Sequence, residues 1–214
     1  MNEFFFIVYP YIALTLFIAV PIIRRRRGGF AFTTRASGFF ERPSMGIAAV
    51  TFHWGIITLF AAHIMGLIGG LTLSSSWIDA FHWIGLAAGL CTLYGATLAL
   101  LRRIVVPELR ASSRYDDYLI LVLLIPILVL GLYPVIVDKT FGLSLTAAPW
   151  VKGIVTLSPD IGGMAGLPLI TKLHVVLALT FIAFFPFTKL VHMWTVPLGY
   201  VVRPFQSMRT YRRA

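Results

Sequence analysis

Five apolar stretches, each about as long as a bilayer is thick, divide this 214-residue sequence. They are Phe4–Ile23, about Met45–Leu71, about Ala80–Leu101, about Tyr118–Val137 and about Leu169–Met193. A membrane-crossing helix needs about 20 apolar residues. Only helices and closed barrels satisfy their backbone groups in hydrocarbon, and runs of this length are too long for strands. The expected fold class is therefore an all-α integral membrane protein, a bundle of five transmembrane helices in a single domain over residues 1–214, with 194–214 as a polar tail. Composition agrees: 58% of residues are hydrophobic and 12% charged, against about 45–50% and about 25% in soluble domains. A water-soluble domain and a disordered chain are both excluded.

The polar residues between the stretches set an expected orientation. Arg24 to Arg27, Arg35 and Arg42 follow the first stretch, Arg102, Arg103, Arg110 and Arg114 the third, and Arg203, Arg209, Arg212 and Arg213 lie in the tail. Five crossings put these fourteen residues on one side, against Lys139 and Lys152 on the other. Basic loops stay cytoplasmic, so the amino terminus is expected outside and the carboxyl tail in the cytoplasm, in the cytoplasmic (inner) membrane. The same split explains the net charge of +10 without nucleic acid as a partner. Asp116 and Asp117 suit the start of the fourth helix. In the long outer connection APWVKGIVTL is expected to form a short interfacial helix with Trp150 as its anchor, and SPDIGGMAGLP to be irregular. The start, MNEFFFIVYP, lacks a basic n-region and does not read as a cleaved signal peptide. Cys91 is the single cysteine, which excludes an internal disulfide, a Cys-ligated iron–sulfur cluster and a CxxCH-attached haem.

All five histidines, His53, His63, His82, His174 and His192, fall in or at the edge of these stretches. Ionisable side chains at membrane depth point to function, and neutral imidazole is a good ligand for haem iron; a packed, hydrogen-bonded histidine is the alternative for any one of them. The second helix runs outward and the fifth inward. Depth therefore pairs His63 with His174 near the outer face and His53 with His192 near the cytoplasmic face. Each pair can clamp one macrocycle as a bis-histidine haem b, and two such haems would form a wire across the bilayer. His174 and His192 are 18 residues apart, five turns of a helix. His53 and His63 are 10 apart, about 80° short of register. The rises match less well, about 27 Å against about 15 Å; helix tilt, side-chain reach or a kink at Pro186 would absorb the difference. A di-zinc or copper site is less natural, because no carboxylate or thiol lies at matching depth. Gly55, Gly66, Gly69, Gly85, Gly89 and Gly95 allow close helix packing or room for a porphyrin edge. Arg102, Arg103, Arg110 and Arg114 are candidates to pair with haem propionates, although their place on the basic side needs no haem.

With these residues in place, the chain resembles the gamma subunit of respiratory membrane-bound nitrate reductase, the di-haem cytochrome b anchor. The likeness runs along nearly the whole chain: FFFIVYPYIA at the start, FHWGI and AAHIMG on the second helix, LLRR and PELRASSRYDDYLIL before the fourth, and LITKLHVVLALTFIAFFPFTKLVHMWTVPLGYV on the fifth. The resemblance implies five crossings with the tail inside and two b haems, His63 and His174 on the outer iron and His53 and His192 on the inner. It also implies oxidation of a quinol (or menaquinol) from the quinone pool near the outer haem, protons released outside, and electrons passed inward to an iron–sulfur beta subunit and a molybdenum-cofactor alpha subunit. Arg110 and Arg114 remain propionate candidates. The family's quinol-associated lysine near the outer start of the third helix has no counterpart in SSSWIDAFHWIGL, where His82 is the substitute candidate for a quinol contact; an interfacial histidine bonded to water or backbone is the alternative. The basic, aromatic tail suits membrane lipid or an acidic partner face. Two competing readings are a related haem b subunit of a nitrite-oxidising or heterodisulfide/sulfite-reductase-like complex, and a non-redox anchor or transporter.

Overall fold

A computed structural model of the protein describes residues 2–27, 42–72, 75–137 and 143–195. The basic loop residue Arg35, Lys139 and the tail arginines from Arg203 onward lie outside the described residues, as does the suggested partner-docking role of that tail. Every regular element among the described residues is helical. A π-helical turn, Phe4–Val8, leads into α1 (Tyr9–Arg27), and α2 (Arg42–Thr72) and α3 (Ser75–Val105) follow. Next come the short α4 (Pro107–Ser112), then α5 (Tyr115–Ile136), α6 (Leu143–Val155), the single turn α7 (Gly162–Ala165) and α8 (Leu169–Phe184). Five of these helical segments are long and apolar enough to cross a membrane: Phe4–Arg27, Ser44–Thr72, Asp79–Val105, Tyr115–Ile136 and Leu169–Phe187.

Helices α2 and α3 outrun their apolar stretches. Each has 31 residues, about 46 Å at 1.5 Å per residue, against about 30 Å of hydrocarbon. The ends beyond the apolar stretches stay helical, and Arg102 and Arg103 in the last turn of α3 complement its dipole. Val106 is then extended ahead of Pro107, which opens α4 and cannot continue the preceding helix. Helix α5 starts as its sequence suggests. The Asp117 carboxylate accepts the Arg114 backbone N–H at 3.0 Å, satisfying a donor at the helix start.

Two sequence expectations need correction. The fifth crossing is not one helix to Met193. Helix α8 gives way to a 3₁₀ turn at Phe185–Phe187, Thr188 is extended, and a second 3₁₀ segment runs over Lys189–Thr195. Pro186 has no N–H to donate and its ring crowds the preceding turn. Thr188 then restarts the chain, its Oγ1 donating to the Phe185 carbonyl at 2.8 Å and accepting from the Leu190 N–H at 3.1 Å. Trp150 is likewise no interfacial anchor. It is 7% exposed, its Nε1 donates to the Phe6 carbonyl at 2.7 Å, and its ring meets Phe6 edge-on. Burying a large ring and satisfying its N–H in one contact fastens α6 to the amino-terminal turn. Within SPDIGGMAGLP the turn α7 drives Met164 into the core, fully buried.

The packing order places the site. Helix α3 lies along α2 and α5, and α8 lies between α1 and α5. One core joins α3, α5 and α8 around Ala96, Leu124, Leu128 and Phe181. A second joins the amino-terminal turn, α6, α7 and α8 around Phe6, Trp150, Met164 and Leu179. The α2–α3 hairpin is tight. A Cβ on Gly95 would lie 2.5 Å from the Phe52 nitrogen, and one on Gly55 2.7 Å from that of Thr92. These two glycines therefore let backbones meet and do not open space for a porphyrin. The outward faces are apolar, as at Trp54 (70% exposed) and Val105 (72% exposed), which suits lipid.

The basic ends collect at one end of the bundle. Arg24 of α1 donates to the Pro186 carbonyl, and Arg102 to Ser44 at the start of α2. Lys189 reaches the buried Asp117 at 2.6 Å.

Candidate functional site

The site is built from two helices that do not pack extensively on each other among the described residues. Helix α2 carries His53 and His63. The α8 segment carries His174 in its helical part and His192 in the 3₁₀ segment beyond the break. The depth pairs expected from sequence are the pairs that meet. The His63 and His174 ring centroids are 6.5 Å apart, with ring planes within 18° of parallel. Those of His53 and His192 are 6.3 Å apart and tilted by 59°. The route to the second pair differs from the expected five-turn register. His192 arrives through the break at Phe185–Thr188, which bends the chain away from a straight helical path.

All four rings share one hydrogen-bonding arrangement. His53 Nδ1 bonds the Ala49 carbonyl at 2.7 Å, and His63 Nδ1 the Leu59 carbonyl at 2.8 Å. His174 Nδ1 bonds the Ile127 carbonyl at 2.9 Å, and His192 Nδ1 the Lys189 carbonyl at 2.8 Å. A carbonyl oxygen only accepts, so each Nδ1 carries the proton and each Nε2 holds the lone pair in the neutral ring. Metal-binding histidines commonly donate one ring N–H to a backbone carbonyl, which fixes the ring and leaves the other nitrogen free to ligate.

The separations fit a bis-imidazole centre. A metal–imidazole nitrogen bond is about 2 Å, and centroid separations of 6.3 and 6.5 Å leave room for one metal between the two rings of each couple. The donor set points the same way. Among the described residues no group of three or more His, Cys, Asp or Glu converges. A zinc ion, which takes four ligands, would find two imidazoles; a haem iron, whose macrocycle supplies its other donors, would need two from the protein. The residues present thus suit two haem groups.

Other candidates fall out differently. His82 is half-buried on α3. Three facing pairs, Phe52 with Gly95, Gly55 with Thr92 and Ala62 with Gly85, share the residue sum 147, which sets His82 opposite Met65 and therefore close to the depth of His63. Arg110 is exposed on α4. Arg114 is 71% exposed and pairs with Asp116 at 3.5 Å; among the contacts of the described residues neither arginine meets a histidine. Arg103 donates to Ser113 at 3.0 Å and lies 3.9 Å from Asp117, so it serves the protein's own packing, as Arg102 does through Ser44.

Sequence reasoning missed the supports of the α8 histidines. Ile127 contributes a main-chain carbonyl, which no side-chain motif records. Gly131 lies against the His174 ring: a Cβ there would come 2.8 Å from Cε1. Asp117 and Lys189 tie α5 to the segment that carries His192.

Comparison with known proteins places the sequence in a family. The nitrate reductase gamma subunit family profile matches residues 2–211. The respiratory nitrate reductase 1 gamma chain of Escherichia coli K12 is 32% identical, over 98% of this chain and 97% of its own length. The nitrate reductase gamma chain of Bacillus subtilis is 30% identical, over 94% and 95%. The nitrate reductase-like protein NarX of Mycobacterium tuberculosis is 30% identical over 98% of this chain, which corresponds to 34% of its own length. With five helices able to cross a bilayer and a match along nearly its whole length, this chain is a multi-pass protein of the cytoplasmic (inner) membrane and belongs to the nitrate reductase gamma subunit family.

Proposed function

We propose that this chain is the di-haem cytochrome b subunit of a membrane-bound nitrate reductase complex, oxidising quinol near the outer face and passing electrons inward. The observation that carries the reading is the pair of opposed histidine couples, each 6.3–6.5 Å between centroids, with all four Nδ1 atoms committed to carbonyls. His63 and His174 would hold the outer haem and His53 and His192 the inner; Arg110 and Arg114 remain candidates for the inner propionates. The orientation, with the amino terminus outside, rests on the arginine-rich end of the bundle.

A bound haem supplies one-electron transfer, which the side chains of this chain do not. The protein's part is to fix its position. The carbonyl bonds hold each imidazole in one tautomer and rotation. Ten residues of α2 set the two histidine couples about 15 Å apart along the helix, so the groups they would hold would sit at two fixed depths, about half the hydrocarbon thickness apart. His82, near the depth of His63, would hydrogen-bond a quinol oxygen and take one of the two protons that the quinol releases with its two electrons. With one cysteine in the chain, reduction of nitrate belongs to partners: an iron–sulfur beta subunit and a molybdenum-cofactor alpha subunit, met at the cytoplasmic end.

The test is the haem content and redox difference spectrum of the purified complex, for the wild type and for His63→Ala. Two b-type haems per chain are expected, falling to one in the variant, which also loses quinol-driven activity and keeps activity with an artificial donor to the soluble subunits. A wild-type chain without haem, or a variant retaining both haems, refutes the assignment.

A further inference from the structure

One α8 histidine is seated on a helix that supplies no ligand. His174 Nδ1 donates across to α5, to the Ile127 carbonyl at 2.9 Å. In an α-helix the carbonyl of residue i points toward residue i+4, here Gly131. A Cβ at position 131 would lie 2.8 Å from Cε1, 3.1 Å from Nδ1 and 3.6 Å from Nε2 of His174. The imidazole therefore rests on the bare backbone of Gly131 while bonding the carbonyl one turn below. Alanine at 131 would have to open 2.8 Å to at least 3.4 Å, the near limit of ordinary contact.

Helix α5 has little room to absorb that shift. Leu132, next to Gly131, is buried and occupies the space left by Gly89 on α3, where a Cβ would meet its Cδ2 at 2.9 Å. Leu128 and Leu124, one and two turns earlier on α5, pack into the core shared with α3 and α8. Retreat of α5 would press this row into α3, so the added methyl acts on the ring.

We propose that Gly131 is a positioning residue for the outer haem: with the Ile127 carbonyl it forms a seat on α5 that sets the tautomer and rotation of His174, and so the geometry of the His63–His174 pair. This rests on the reading of His174 as a haem ligand. The seat has a polar half and a steric half. The carbonyl directs the proton to Nδ1 and the lone pair to Nε2. The glycine lets the ring lie close enough to reach that carbonyl.

The experiment is Gly131→Ala in the full complex, read by haem content, low-temperature difference spectrum and the low-spin ferric signal of each haem, with Gly85→Ala as control. A Cβ at Gly85 meets Ala62 at 3.6 Å, an ordinary contact. Gly131→Ala is expected to lose one of the two haems or to shift the outer haem's signal, with the inner signal unchanged. Two haems with both signals as in the wild type overturn the proposal. Should Gly131→Ala fail to accumulate, the double variant Gly131→Ala/His174→Ala separates the causes. If the methyl clashes with the ring, removing the ring restores accumulation to the level of His174→Ala alone; a double variant as poor as Gly131→Ala overturns the proposal. A wild-type protein without haem refutes the underlying function instead, and the accumulation test still reports on the contact.

Discussion

Replacing Gly95 by alanine places a methyl group where α2 and α3 touch through their backbones. Its Cβ would lie 2.5 Å from the Phe52 nitrogen, 2.8 Å from the Phe52 Cα and 2.8 Å from Thr51 Oγ1. The first two are backbone atoms and cannot rotate aside. Reaching the near limit of ordinary contact, 3.4 Å, requires the helices to part by about 0.9 Å. Overpacking of this kind costs about 1–3 kcal/mol. The effect on the site is larger than that figure suggests, because His53 directly follows Phe52. Ligand distances at a metal hold to about ±0.2 Å, and a shift several times greater would disturb the 6.3 Å His53–His192 pair. His63 lies ten residues along α2, beside the Ala62–Gly85 contact at 3.6 Å, and the outer pair should persist. Expected, then, is Gly95→Ala with about one haem per chain in place of two and a lowered thermal midpoint. Combining it with His63→Ala, which leaves only the inner pair, should give a chain with almost no haem. Gly95→Ala with two haems, unchanged spectra and wild-type stability would refute the reasoning.

Two further outcomes test other contacts. Lys189→Met orphans the buried Asp117 (4% exposed), leaving it Arg103 at 3.9 Å and the Arg114 N–H. Asp117 is buried but Lys189 is 29% exposed, so the loss should fall between about 1 kcal/mol for a surface pair and about 3 kcal/mol at the low end for a buried one, and thermal unfolding of the single and Lys189→Met/Asp117→Asn double variants should show partial recovery in the double. Because the Lys189 carbonyl holds His192, the inner haem signal should shift as well; an additive cycle with an unaltered spectrum would show that the pair does not couple to the site. His82→Ala should keep both haems and slow quinol oxidation, whereas unchanged quinol kinetics would return His82 to a packing role.

Much of this architecture was legible because it depends on few variables. Five apolar runs make α2 the second crossing and α8 the fifth, so the two run in opposite directions, and that fixes which of their histidines share a depth. No side-chain detail is needed to pair His63 with His174 or His53 with His192. What stayed hidden depends on main-chain atoms and on distant partners. The break after Phe184 was signalled by Pro186, but the 3₁₀ continuation depends on how Thr188 spends its hydroxyl. The Ile127 carbonyl carries no sequence signature. Asp117 and Lys189 are 72 positions apart, and each reads alone as an ordinary helix-end charge. Gly131 did leave a signal: it is the single glycine of α5, set among large aliphatic residues between Pro126 and Pro134. The misreading of Trp150 has the same origin, since an aromatic at an expected interface says nothing about a carbonyl 144 residues away.

The two sides of each histidine couple are prepared differently. His53 and His63 bond carbonyls four residues earlier on their own helix, so α2 presents both imidazoles correctly turned as soon as it is helical. His174 takes its bearing from α5 and His192 from a 3₁₀ segment moored to Asp117. During biogenesis the early hairpin is thus a finished half-socket, waiting through two more crossings, and the cofactor can be locked in only when the last helix docks. Insertion of the prosthetic group and completion of the bundle become one event, which makes the final crossing the assembly checkpoint of the chain.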